Sequence, residues 1–312
     1  GKGLGPHGMT LTELARSAKA LAARIGAEDP ALPGLLDAMP VAQAIAALDA
    51  ADPYRGYGHM PPEFASFVKR AASGAGADTA SRYLALLLLT LIERAEERIA
   101  ALRLPAVFAP EFAASFARIL RDLETGRRAP DLQDDNFLKD LGICRIVLIP
   151  CVSHLIYRHG GVPRRLLLRQ DLATLARSLL FTAFRTGGLR PFLVNHVHMA
   201  MRDNFTPEGR ERCYRLVAEL LRIWPDSRGL VGASWYYDPR VAEISPRLAY
   251  LRKVPEAGGA LFLKAGGGPG AMDALHRSPT RQRLHAEGRY DPEVWYMVWA
   301  RKDILRLYGR MT

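Results

Sequence analysis

The chain has 312 residues, 49% hydrophobic and 24% charged, a balance that excludes a disordered or fibrous protein and allows a substantial buried core. Its 43 Lys and Arg against 32 Asp and Glu give a net charge of +11, which suggests an anionic ligand or partner, while the Arg-rich, Lys-poor composition of a GC-rich genome would account for it equally. Residues 1–130 are close to neutral, so the excess lies in 131–312, and 36 of the 43 cations are Arg, whose planar fork matches phosphate and carboxylate.

Residues 1–9, GKGLGPHGM, lack the apolar core of a signal peptide and read as a vector remnant, with Met9 as the native start. From there to residue 130 every signal is helical. Thr10-Leu-Thr-Glu13 is a capping box, followed by Leu14, Ala18, Leu21 and Ile25 at helical spacing. A second helix fits Val41 to Ala50, and Pro61-Pro62 opens a third that stops at Gly74-Ala-Gly76. Asp78 is expected to cap a long helix reaching Leu102, and Pro110 to start another that ends at Gly126. The longest apolar run, Tyr83 to Ile92, is far shorter than the roughly 20 residues of a membrane span, so no span is expected.

The polar segment Gly126 to Asp140, with Pro130 and four aspartates, is the expected boundary. Beyond it Ile143 to Tyr157 is rich in β-branched residues, and Arg165 to Leu168 reads as a return strand after the turn His159-Gly-Gly-Val-Pro163. Asp171 caps a helix through Leu175, Leu179 and Phe184. The strand-like run FLVNHVHM, a helix announced by Thr206-Pro207-Glu208, and the strand-like run Gly229 to Tyr237 follow. ALFLKA, a glycine loop, the short helical piece AMDALH and VWYMVW complete the chain. The expected fold class is α+β: a mixed-sheet domain over residues 141–312, preceded by an all-helical N-terminal region over 10–130. The cysteines Cys144, Cys151 and Cys213 form no CxxC pair, which argues against a disulfide framework or a cysteine zinc site and for a reducing, cytoplasmic setting.

The candidate chemistry concentrates between Phe192 and Pro239. On a strand, His196 and His198 point to one face, and either can act as a general base near neutral pH. Asp203 and Asp238 are the carboxylates placed to orient them, and Tyr236 or Tyr237 to protonate a leaving group. With Asp203, Asp238 or His154 the two imidazoles would alternatively form a divalent-metal site for an oxygenase or hydrolase. Ser234 lacks the GxSxG setting of a hydrolase nucleophile. Later in the chain Gly266, Gly267, Gly268 and Gly270 follow a strand-like run and precede a helical piece, the order in which backbone N–H groups hold a diphosphate. Lys264 beside the loop, and Arg281 and Arg283 in the helix opened by Ser278-Pro279, would add positive charge. No stacking platform of interleaved aromatics and cations is present, which leaves a non-enzymatic binder of RNA or of an acidic partner as the last alternative.

A mixed α/β region in which a strand leads into a glycine-rich loop and a helix resembles the GNAT-type acyltransferases. There the loop after the central strand binds the acyl-CoA diphosphate through backbone amides in a pattern like [RQ]xxGx[GA]; the nearest match is Lys264-Ala-Gly-Gly267-Gly-Pro269, with Lys in place of Arg or Gln and Pro at the last position. The resemblance covers residues 143–312. It implies transfer of an acyl group from a coenzyme A or acyl-carrier-protein thioester to an amine, with no metal, the anionic donor being held by Lys264, the glycine loop and Arg281 or Arg283.

Overall fold

A computed structural model describes residues 8–268 and 270–309. Apart from Gly8 and Met9 the expected vector remnant lies outside these residues, as does Pro269 of the glycine loop. The chain divides into two compact units, up to Pro150 and from Cys151 onward.

The first unit is helical. Its elements are α1 (Leu11–Glu28), α2 (Leu32–Ala38), α3 (Val41–Ala50), α4 (Pro62–Gly74), α5 (Ala77–Glu93), α6 (Ala95–Ala101), α7 (Ala109–Thr125) and α8 (Asp135–Cys144). The capping box forms: Thr10 accepts from the Glu13 amide, and the Glu13 carboxylate accepts from the Thr10 amide. The apolar run occupies α5, whose Leu84, Leu87, Leu89 and Leu91 are buried as α1, α4 and α7 pack around it. The helix expected to run from Asp78 to Leu102 is instead two, α5 and α6, interrupted at Arg94. The polar segment expected as the boundary contains the start of α8, because Asp134 accepts from the Asn136 amide and caps that helix.

The division of the chain falls inside β1 (Leu148–Cys151). The second unit continues with β2 (His154–Gly160), α9 (Arg164–Leu168), α10 (Leu172–Phe181), β3 (Phe192–His196), α11 (Pro207–Ile223), β4 (Gly229–Ser234), α12 (Pro239–Ile244), α13 (Tyr250–Ala257), β5 (Leu261–Gly266), α14 (Pro279–Ala286), β6 (Val294–Ala300) and α15 (Arg301–Tyr308). The return strand expected at Arg165 to Leu168 is the helix α9, whose Leu166 and Leu167 turn inward. A helix N-terminal to β1 and a mixed six-stranded sheet after it agree with the α+β class.

The sheet order is β1-β2-β3-β4-β6-β5. Pairs β2/β3, β4/β6 and β5/β6 are antiparallel, whereas β3 and β4 are parallel and are joined through α11. Alternate residues of the strands face opposite layers. Phe192, Val231, Leu263 and Val298 pack with Leu166 and Leu167 of α9 on one face. On the other, Trp299 of β6 meets Tyr214 of α11 edge to face, with ring centroids 4.9 Å apart. Arg301 then closes the C-terminal end of α11 by donating to the carbonyls of Leu221 and Trp224.

Candidate functional site

The central strands β3 and β4 hold the site because of how briefly they pair. Their register consists of Leu193↔Leu230 and Val194↔Val231, although β3 runs on to His196 and β4 to Ser234. No register pair follows Val194↔Val231, and the Asn195 side chain lies against Gly232 in that interval. A Cβ on Gly232 would sit 2.3 Å from Asn195 Oδ1. On its other side β4 stays paired with β6 as far as Ser234↔Trp295.

Beside these strand ends lies a buried polar cluster. The turn Val152-Ser153, with Val152 at φ 61°, brings His154 in as the first residue of β2. Ser153 Oγ is 2.9 Å from His154 Nδ1, and the Tyr236 hydroxyl is 3.2 Å from Nε2. Thr206 caps α11 through the Gly209 amide and Pro207 occupies its first turn, so Arg210 projects inward from the start of the helix. Arg210 Nη1 lies 2.6 Å from Nδ1 and 2.8 Å from Nε2 of His154. Arg210 Nη2 donates to the Tyr237 hydroxyl at 2.9 Å, and Asn195 Nδ2 donates to the same oxygen at 3.3 Å.

The electrostatics follow from burial. Arg210 is 2% exposed, and among the described residues no carboxylate lies within ion-pair distance of it. Burial, then the Arg210 and His196 side chains, hold the His154 imidazole well below its ordinary pKa, so the ring is neutral and offers one acceptor nitrogen to the guanidinium. Burial also pushes the Tyr236 phenol well up, which keeps its proton available for donation. Arg210 Nε and the hydroxyls of Tyr214 and Tyr250 are buried without a hydrogen-bond partner. The cluster is thus a positive charge surrounded by neutral acceptors, set behind the ends of two parallel strands. Such a charge stabilises negative charge developing nearby in a site shielded from water.

The structure brings some expected residues together and disperses others. His196 is half-buried at the end of β3, close enough to His154 to lower its pKa. His198 does not share its face on a strand: β3 has ended, and His198 Nδ1 accepts from the Ala200 amide to cap a 3-10 turn over Met199–Asn204. Asp203 is exposed on that turn rather than oriented toward an imidazole. Asp238 orients no histidine either. It is 1% exposed, caps α12 through the Arg240 amide, and is held by the Arg240 guanidinium at 2.7 Å. Tyr236 and Tyr237 both turn into the cluster. Among the described residues no group of three His, Cys, Asp or Glu side chains is placed to hold a metal ion. No helix among them is long and apolar enough to cross a membrane.

The expected donor loop is also differently placed. β5, which precedes Gly266, is an edge strand, and the residues after the loop form a 3-10 turn over Ala271–Leu275, not an α-helix with free amides at its N-terminus. A Cβ on Gly266, Gly267 or Gly268 would meet nothing within 4 Å, and one on Gly270 only Val294 at 3.9 Å, so the space around these glycines is open. Lys264 pairs with Glu293 at 3.1 Å. Arg281 is buried: it donates to the Ala274 carbonyl and to Ser245 Oγ and stacks over Trp235, which leaves it unable to reach a ligand. Arg283 is exposed on α14, away from it.

One open cleft of about 700 Å³ lies between α9, α10 and the edge strand β5. Arg169, Arg177, Arg252 and Lys264 contribute cations to its wall, and Phe262 and Trp295 contribute rings. Arg252 lies 4.2 Å over Phe262 and 5.2 Å from Trp295, and donates to the Tyr237 carbonyl at 2.6 Å. Arg252 on the cleft wall therefore touches Tyr237 of the buried cluster, which does not itself line the cleft. Of the cluster's residues, Arg210 and Asn195 escaped the sequence reading. Arg210 had a signal: it stands in line with Cys213, Val217 and Leu220, an arginine on the apolar stripe of α11.

Comparison with protein-family models, curated proteins and solved structures finds no match to this chain.

Proposed function

We propose that the C-terminal unit is an acyltransferase that moves an acyl group from a coenzyme A or carrier-protein thioester to an amine. The observation that carries this reading is the parting of β3 and β4 after two residue pairs, at the carboxyl ends of the sheet's parallel pair. Ligands of open α/β sheets bind in the crevice at such ends, where the crossover helix begins. The facing edges past Val194 and Val231 present backbone groups that an extended, amide-bearing pantetheine arm can bond as an added strand would. The acyltransferase resemblance places the donor diphosphate on the loop after the central strand. In this sheet that loop is 197–206, leading into α11, in place of 266–270 after the edge strand. The Gly209 and Arg210 amides at the start of α11 are already taken by Thr206, so the Arg210 charge behind that turn is what favours an anion there.

His196, at the end of β3, is the group we assign to the chemistry. It takes a proton from the amine as the nitrogen attacks the thioester carbonyl. The carbon–sulfur bond then breaks, and the same proton passes to the departing sulfur, so amide and thiol form without net proton change. Arg210, His154, Tyr237 and Asn195 are positioning residues that fix the strand ends and supply positive potential. The cleft with Arg169 and Arg177 on its wall reaches Trp295, the partner of Ser234, and suits an acceptor amine that carries a carboxylate.

Thermal denaturation with acyl-coenzyme A of short and long chains tests the reading. Ligand at about a hundredfold over its Kd stabilises the folded state by about 2.7 kcal/mol and raises the melting temperature accordingly. No shift with any acyl-coenzyme A or acyl-carrier protein contradicts it.

A further inference from the structure

The helix α10 packs Leu175 and Phe181 against the core yet leaves a second apolar face in water. Its inward side carries hydroxyls that its own backbone satisfies: Ser178 Oγ donates to the Thr174 carbonyl, Thr182 Oγ1 to Ser178, and Thr186 Oγ1 to Thr182. Its outward side is apolar. Leu172 is 85% exposed, Leu179 55%, Leu180 59% and, in the π-helical turn that continues α10, Phe184 75%; Leu168 at the end of α9 is 76% exposed. At helical spacing these residues form one stripe along Leu172 to Thr186, roughly 22 Å long. A stripe of that kind on an otherwise water-facing helix marks an interaction surface.

The charge around it selects the occupant. Residues 164–190 contain six Arg and a single acid, Asp171. Arg164 and Arg165, at the start of α9, are exposed, and among the described residues neither pairs with a carboxylate. Leu and Phe on one face of a helix with arginines beside it is the arrangement that lies in the plane of an anionic lipid surface, the rings and branched chains entering the headgroup boundary and the guanidinium groups meeting phosphate. We propose that α9 and α10 dock the protein onto anionic membranes. The stripe runs along the helix that lines the cleft, so the docked protein would hold that cleft next to the lipid. This inference rests on the stripe and its charge and is independent of the acyl-transfer reading.

The test is flotation of the full chain with vesicles of phosphatidylcholine alone and of equal parts phosphatidylcholine and phosphatidylglycerol. We expect binding to the mixed vesicles, at least tenfold weaker binding to the neutral ones, and loss of binding in high salt. The variant Leu172→Ser/Leu180→Ser/Phe184→Ser, altered only at exposed positions, should keep its melting temperature and lose flotation. Arg164→Glu/Arg165→Glu should weaken it at least tenfold. No flotation with mixed vesicles overturns the proposal. So does a concentration-dependent dimer that the triple variant abolishes while wild-type flotation is absent, since the stripe would then bind a second copy of the chain.

Discussion

Arg210 donates from Nη2 to the Tyr237 hydroxyl at 2.9 Å, and that bond ties the first turn of α11 to the turn that follows β4. Arg210 lies in the crossover that joins the parallel strands, and Tyr237 lies just past the strand that this crossover leads into. Because Tyr237 also accepts from Asn195 and offers its carbonyl to Arg252, one side chain and its backbone connect β3, α11, α13 and the turn after β4.

Tyr237→Phe removes the hydroxyl and leaves a buried guanidinium donor without its partner. A hydrogen bond to a charged group contributes about 1.5–3 kcal/mol, so urea unfolding should show a loss of that size with an unchanged m-value. A loss below about 0.5 kcal/mol means that Arg210 finds another acceptor.

The depressed His154 pKa makes stability depend on pH in a definite direction. The folded ring stays neutral below pH 6.5, the value of the free side chain, whereas the unfolded chain binds a proton there. Stability is therefore full above about pH 6.5 and falls as pH drops below it, by up to about 1.4 kcal/mol per unit from this one group. Unfolding free energies measured from pH 7 to pH 5 should show that slope in the wild type and a flatter one in His154→Gln.

Gly232→Ala pushes a Cβ to within 2.3 Å of Asn195 Oδ1. Overpacking of this kind costs about 1–3 kcal/mol. Removing the obstruction in Gly232→Ala/Asn195→Ala should recover part of it, so a double-mutant cycle should give a coupling of at least about 0.5 kcal/mol. Simple additivity indicates that the two side chains do not share that space.

His196→Gln keeps a polar side chain of similar length and removes the base. Turnover should fall about a hundredfold or more, with the melting temperature and the stabilisation by acyl-coenzyme A retained. Full activity in this variant removes His196 from the mechanism.

Much of the scaffold was legible in the sequence because local signals agreed with the final packing. Thr10 to Glu13, Asp171 and Thr206-Pro207 mark helix starts that the structure contains. Leu166 to Leu168 misled because three consecutive leucines have no period, and tertiary contact with β5 and the core made them a helix. The two tyrosines were recognisable as polar groups at a strand end, and His154 only as a possible third imidazole of a metal site. Asp238 and Arg281 were misread for one reason: a charged side chain near a loop looks available in sequence, yet each is consumed by capping and by stacking. The placement of the glycine loop after an edge strand was not legible, because strand order is invisible to a local motif and only the sheet shows β5 to be an edge.

Hydrogen exchange measured peptide by peptide, with and without acyl-coenzyme A, tests the central claim that the site lies where β3 and β4 part. The account predicts slowed exchange in residues 197–210 and 230–236, with residues 261–270 unchanged. Protection confined to 261–270, or none at saturating ligand, contradicts it.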